Sequence, residues 1–252
     1  MRGRCGTPAG GPAIERVGSA IRHPLAWQHP SFAQRIPHAI LTVTQLEYAS
    51  TIVVVNSAAL SRAELSTVIA LISHLSPQAR LRVHQDAIEP WVPGEPFTAG
   101  QERPGWIGLL NDDYEPHLTD PRVTAFRYEN VRPLHPVRLR RLLNRLETDA
   151  FGTVIRSAGF CRFASRPHVV AHWDQVGRTI SFDPLSHDDT LEDDQEFLAL
   201  GQELAIIGLD TGGLTAALDD TALTDGELTA GPTLWTKRRI PVVVATRRLA
   251  GE

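Results

Sequence analysis

From Ala39 onward the chain moves between two hydrophobic rhythms, and before that point it shows neither. Thr51-Ile-Val-Val-Val-Asn is a short β-branched run, which predicts a buried parallel strand. Ser61 with Glu64 three residues on reads as a capping box, and Leu65, Val68, Ile69 and Ile72 follow at helical spacing. Pro77 ends that helix and Leu81-Arg-Val starts another strand. Residues 39–84 therefore predict a strand–helix–strand unit of an α/β layer.

The second half repeats the exercise with shorter periods. Thr124-Ala-Phe-Arg-Tyr alternates as a strand does. Pro136 suits the first turn of a helix whose core stripe is Leu139, Leu142, Leu143 and Leu146. Thr153–Arg156, Phe160–Phe163, Val169–Trp173 and Thr179–Phe182 read as short strands divided by Gly159, Pro167 and Gly177. That pattern predicts an antiparallel meander. Leu204–Gly208 is a further strand, and Leu214, Ala217, Leu218 and Leu223 mark a last helical segment. The expected fold is α/β overall, with an α+β C-terminal domain in which two helices pack on one mixed or antiparallel sheet.

Between these halves, residues 85–122 are rich in Pro, Gly and Asp and carry Trp91 and Trp106. They read as a linker or long covering loop. Residues 1–38 have no steady period and read as irregular or disordered. The C-terminal domain is expected over 123–236, followed by a tail, 237–252, whose Ile240-Pro-Val-Val-Val resembles an edge strand or an exposed apolar segment.

Composition narrows the function. The 252 residues carry 25 Lys and Arg against 29 Asp and Glu, a formal charge of −4. No global field favours nucleic acid or membrane, so neither DNA nor a bilayer is an expected partner. No apolar run is long enough to span a membrane. With Cys5 and Cys161 alone there is no CxxC metal knuckle and no disulfide framework, so a reduced, cytoplasmic setting is expected. Lysine occurs once, at Lys237, and follows no glycine-rich turn. A standard P-loop needs that lysine to reach phosphate, and the Gly6–Pro12 stretch offers none.

One ordered set of motifs carries a resemblance. Arg156-Ser157-Ala-Gly159-Phe160-Cys-Arg-Phe-Ala-Ser165-Arg166-Pro167, followed by Trp173, resembles the signature of the CobW C-terminal domain. Arg132-Pro133-Leu-His135-Pro136 is similar to that domain's Arg-Pro-Phe-His-Pro element. Leu204–Asp210 and Ala222–Leu228 match further on, so the resemblance runs in order over 124–235. Upstream, Gln45–Leu60 looks like the end of a CobW GTPase domain, making 39–84 a partial remnant of a P-loop GTPase-like fold. Where that family has Asn-Lys-x-Asp, this chain keeps Asn56 but has Ser57 and Ala59. Ala59 has no carboxylate to accept the guanine donors, so GTP is not an expected cofactor.

The resemblance implies a role in metal homeostasis, with zinc the metal, and a client protein or the ribosome as partner. No catalytic residue is expected from it, because the nucleotide positions are degenerate. The fuller alternative it implies is a fragment of a divergent GTP-dependent metallochaperone whose nucleotide-binding half is missing. The residues themselves offer two candidate surfaces. His187, Asp188 and Asp189 open an acidic loop that could ligate a cation, or be simply solvated. Arg138, Arg141 and Arg145 recur opposite the leucine stripe, as a basic partner face or as an ordinary wet helix face. His168 and His172 lie on a strand, too far apart to share an ion. Cys161 reads as a small buried hydrophobe, and His135 as the residue that fixes the entry into its helix. Oligomeric state is not legible.

Overall fold

The computed structural model describes residues 38–84, 104–188, 199, 201–232, 235 and 247–248. All of them lie in one compact unit, Ile36–Glu252. The irregular structure expected for 1–38 falls outside the described residues, except at His38, which opens a helix. The Ile240–Val244 segment also falls outside them.

The first elements are α1 (His38–Glu47), β1 (Thr51–Val54), α2 (Arg62–Leu75) and β2 (Arg80–Val83). β1 and β2 pair in parallel, Thr51 opposite Arg80 and Val54 opposite Val83, with α2 as the crossover. The capping box is present: Ser61 Oγ accepts from the Glu64 amide at 3.2 Å, and Glu64 Oε2 accepts from the Ser61 amide at 2.8 Å. Ile52 packs against Ile72 of α2 and Ala79. The expected burial of the strand is corrected, however. Among the described residues the α2 side is the covered one, and Val53 and Val55 on the other face are 44% and 57% exposed.

The stretch read as a linker carries a helix, α3 (Gly105–Leu110), with Trp106 only 3% exposed. Its apolar Trp-Ile-Gly-Leu-Leu run turns inward because Gly105 lets the backbone meet the end of α2. A Cβ there would lie 1.9 Å from the His74 carbonyl oxygen.

The remaining strands, β3 (Val123–Asn130), β4 (Thr153–Phe163), β5 (Arg166–Val176), β6 (Thr179–His187), β7 (Gln202–Leu209) and β8 (Arg247–Arg248), form one sheet in the order β3-β7-β4-β5-β6-β8. Every pairing in it is antiparallel. Among the named strands of the described residues, parallel pairing occurs in β1–β2, with isolated parallel bridges at Leu134–Phe163 and Ala150–Gly152. Gly159 does not divide two strands as expected: it lies inside the single long strand β4, with φ +148°, against Glu203 of β7. Pro167 likewise lies inside β5, where the pairing slips next to the Ala164–Ser165 turn, so its missing amide is tolerated. Gly177, at φ 53°, does make the turn between β5 and β6.

Two further helical segments, α4 (Pro136–Glu147) and α5 (Leu214–Asp219), cover one face of the sheet. The leucine stripe of α4 meets Cys161, Phe163, Trp173, Phe182, Leu204 and Ile206. Each fully buried leucine of that stripe contributes about 1.5–3 kcal/mol by area. A short helix not expected from the sequence, α6 (Asp225–Ala230), is closed by its own capping box of Thr224 and Glu227. Trp106 and α3 lie on the opposite face of the sheet, reached by His172, which alternates with the core-facing Ala171 and Trp173. Among the described residues, no helix is long and apolar enough to cross a membrane.

Candidate functional site

The signature of β4 becomes a buried polar spine. Arg156 points to the α1–α3 side and is held by four acceptors. Its Nε donates to Glu47 Oε1 at 2.7 Å, and its Nη1 donates to Asp174 and to the Ser157 and Gln175 carbonyls, each of the latter at 3.1 Å. The Trp106 ring covers the guanidinium at 5.4 Å. Burial pushes the Glu47 carboxyl above its usual range, and the neighbouring Arg156 charge pulls the other way. One step along, Ser157 Oγ donates to Gln175 Oε1 and accepts from Trp173 Nε1, both at 2.8 Å. Phe160 is buried, as is Cys161, whose thiol burial pushes up, away from nucleophile or ligand chemistry.

The Arg-Pro-Leu-His-Pro element sets the entry of α4. His135 Nδ1 accepts from the Val137 amide at 3.2 Å and Pro136 takes the first helical position, the role expected for this histidine. Pro133's carbonyl accepts from the Leu223 amide at 3.0 Å. Arg132 donates to Asp225 at 2.6 Å and to the Leu223 carbonyl at 3.3 Å. Arg166 opens β5 beside the Ser165 turn.

The candidate metal residues are placed apart from one another in role. Asp188 receives a two-pronged bond from Arg162, at 2.7 and 2.8 Å, and that pairing holds its carboxyl below the usual range. Arg162 is itself buried and also donates to the Ala199 and Pro167 carbonyls, each at 2.8 Å. His187 ends β6, and Asp189 lies outside the described residues. His168 is exposed, with Nδ1 4.0 Å from Asp188, while His172 sits half-buried in the middle of β5. Among the described residues, no group of three His, Cys, Asp or Glu converges as a metal site.

On the arginine face, Arg138 is already engaged by Glu227, at 2.7 and 3.1 Å, and by the Ala222 carbonyl at 2.7 Å. Arg145 lies over the Phe151 ring at 4.2 Å. Arg140 and Arg141 are exposed. The three arginines therefore do not present one free cationic stripe. At the degenerate guanine motif, Asn56 adopts a left-handed φ of 56° just after β1, and Ser57–Ala59 form a single 3₁₀ turn. The methyl of Ala59 offers no side-chain acceptor at the position where the resemblance implies a guanine-reading carboxylate.

Three residues here were not singled out from the sequence: Glu47, Asp174 and Trp106. Trp106 had a visible signal in its apolar run. Glu47 and Asp174 had none, because a single carboxylate in a helix or strand looks the same whether or not it meets an arginine.

The model for the cobalamin synthesis protein CobW C-terminal domain matches residues 123–222. The zinc-regulated GTPase metalloprotein activator 1 of Dictyostelium discoideum is 26% identical over 220 residues, covering 77% of this chain and 46% of that protein. The chain thus spans about half the length of the curated relative it matches. Zn(II)-bound YjiA GTPase from E. coli aligns over 73% of this chain and 55% of its own, at 16% identity and a TM-score of 0.36. A triple mutant of YjiA, also Zn(II)-bound, aligns with the same coverage and TM-score at 14% identity. The matched segment, residues 123–222, contains the Arg132–Pro136 element, the β4–β5 signature and β7, so the likeness to the CobW C-terminal domain rests on the residues that carried it in the sequence.

Proposed function

We propose that this chain serves zinc homeostasis as a non-catalytic interaction module, docking on a client protein or the ribosome. The observation that carries the non-catalytic part is Ala59, a methyl where a guanine-reading carboxylate would stand, in a turn held open to solvent after β1. The zinc part is supported by likeness to the zinc-regulated activator. The docking part is supported by the C-terminal sheet, whose polar signature is consumed internally by Glu47, Asp174 and Gln175. Those residues stabilise a scaffold and leave its surface to meet a partner. The test uses the tagged full chain in its own cells, with and without zinc chelation. Ribosome or single-client association that rises on chelation, together with no GTP turnover by the purified chain, is the expected result. GTP hydrolysis above the level of a heat-denatured control overturns it.

A second reading, the C-terminal part of a GTP-dependent metallochaperone, is favoured by one observation. Among the described residues, a two-stranded parallel sheet with one exposed face is an incomplete layer, since parallel sheets are normally covered on both sides. Mixing the chain with a separately produced nucleotide-binding half and recovering GTP turnover would support that reading over the first.

A further inference from the structure

Helix α3 and the loop behind it are gripped between two histidines. On one side, α2 supplies His74, whose Nδ1 is hydrogen-bonded to Tyr114 Oη; Tyr114 in turn donates to the His74 carbonyl at 3.5 Å. On the other, the Trp106 ring meets His172 of β5 at 6.1 Å, tilted by 43°. Nε2 of both histidines is buried and has no hydrogen-bond partner. In the neutral tautomer with Nδ1–H donating to Tyr114, Nε2 of His74 is an unpaired acceptor, the smaller of the two possible costs. Protonation would bury an N–H and a charge with no acceptor, which costs far more.

The charged groups around each ring do not rescue the imidazolium. His172 faces Arg156 from β4, which opposes a second cation, and Asp174 and Asp183 from β5 and β6, which favour one; burial outweighs them and holds the ring below its usual range. His74 faces the Tyr114 hydroxyl, and burial again lowers its pKa. Both rings touch α3 or its loop, so their protonation bears on one element.

We propose that α3 is a proton-sensitive latch: with His74 and His172 neutral it closes over Arg156, and proton uptake by the two rings releases it from the sheet. The open state exposes both rings and binds protons at an ordinary histidine pKa of about 6.5. The closed state binds them only at lower pH. Closure is therefore fully favoured above about pH 6.5 and is lost as the pH falls below it. Each ring can contribute one proton, so the opening constant rises up to about ten-fold per pH unit for one ring and about 100-fold for both.

Amide hydrogen exchange on the full chain, corrected for intrinsic rates, tests this between about pH 7.5 and about pH 5.5. The amides of Ile107, Gly108 and Asn111 should lose protection by at least ten-fold, while those of β4 and β7 hold theirs. A flat profile in α3, or an equal loss across the sheet, overturns the proposal. The double variant His74→Gln, His172→Gln should flatten the α3 profile; an unchanged pH dependence in the folded variant overturns it too. Should the variant not fold, labelled-histidine NMR of the unmodified chain decides. Both rings should titrate below the ordinary value and together with loss of α3 protection. Ordinary titration with α3 still protected rejects the latch.

Discussion

Glu47 and Arg156 are 109 residues apart in sequence and 2.7 Å apart in space. Their side chains are 4% and 6% exposed, so the pair is buried, and it ties the end of α1 to the first half of β4. Removing one partner strands the other charge. Glu47→Ala is expected to cost about 3–5 kcal/mol, measured by urea unfolding, since breaking a buried pair is far worse than never having had it. Asp174 remains to pair with Arg156 and places the value toward the lower end. A Glu47→Ala protein as stable as the parent would show that the spine does not hold α1 to the sheet.

Gly159→Ala should be worse tolerated than any neighbouring change to alanine. At φ +148° and with Glu203 oxygen 2.0 Å from where a Cβ would sit, the obstacle is backbone and cannot rotate away. β4 and β7 would have to separate at the Gly159–Leu204 pair, in the centre of the sheet. The expected loss exceeds about 2 kcal/mol, the range of backbone strain plus a damaged ladder. Thermal unfolding measures it, and a shift of Tm within error would contradict the close approach.

Asp188→Asn separates a structural role from a metal-binding one. The carboxylate accepts both prongs of the buried Arg162 guanidinium. Loss of its charge should cost about 1–3 kcal/mol in chemical denaturation, as for a hydrogen bond to a charged group. Zinc affinity, read by competition with a chromophoric chelator, should stay as it was. Weaker zinc binding with unchanged stability would restore Asp188 to the candidate ligands.

The elements of the sheet domain were legible where one period ran unbroken. The stripe Leu139, Leu142, Leu143 and Leu146 gave α4 its helix and its buried face together. Gly159 and Pro167 misled, because both usually punctuate strands; here a neighbouring backbone and a pairing slip absorb them. Trp106 reads as part of a linker because the Pro and Gly around it outweigh a run too short to show a helical period. The site was legible only as a motif. Sequence order names Arg156 and Trp173, but the partners Glu47 and Asp174 are chosen by the three-dimensional crossing of α1, β4 and β5.

Glu227 is the residue through which acid should reach the arginine face. It completes the capping box of α6 and accepts both prongs of Arg138, and that bond, first, holds its carboxyl down to about 2. A folded-state pKa below the unfolded value of about 4.5 means that the ionised form favours folding. The contribution is fully present above about pH 4.5 and is lost as the pH falls toward about 2. Glu227→Gln should therefore flatten the acid limb of the stability profile in that window and free Arg138 from its ion pair. If Arg138 belonged to a partner face in its present state, Arg138→Ala and Arg141→Ala would weaken partner binding alike. The ion pair predicts otherwise: Arg138→Ala should lower stability by about 1–3 kcal/mol, and only the exposed Arg141 should change affinity without changing Tm.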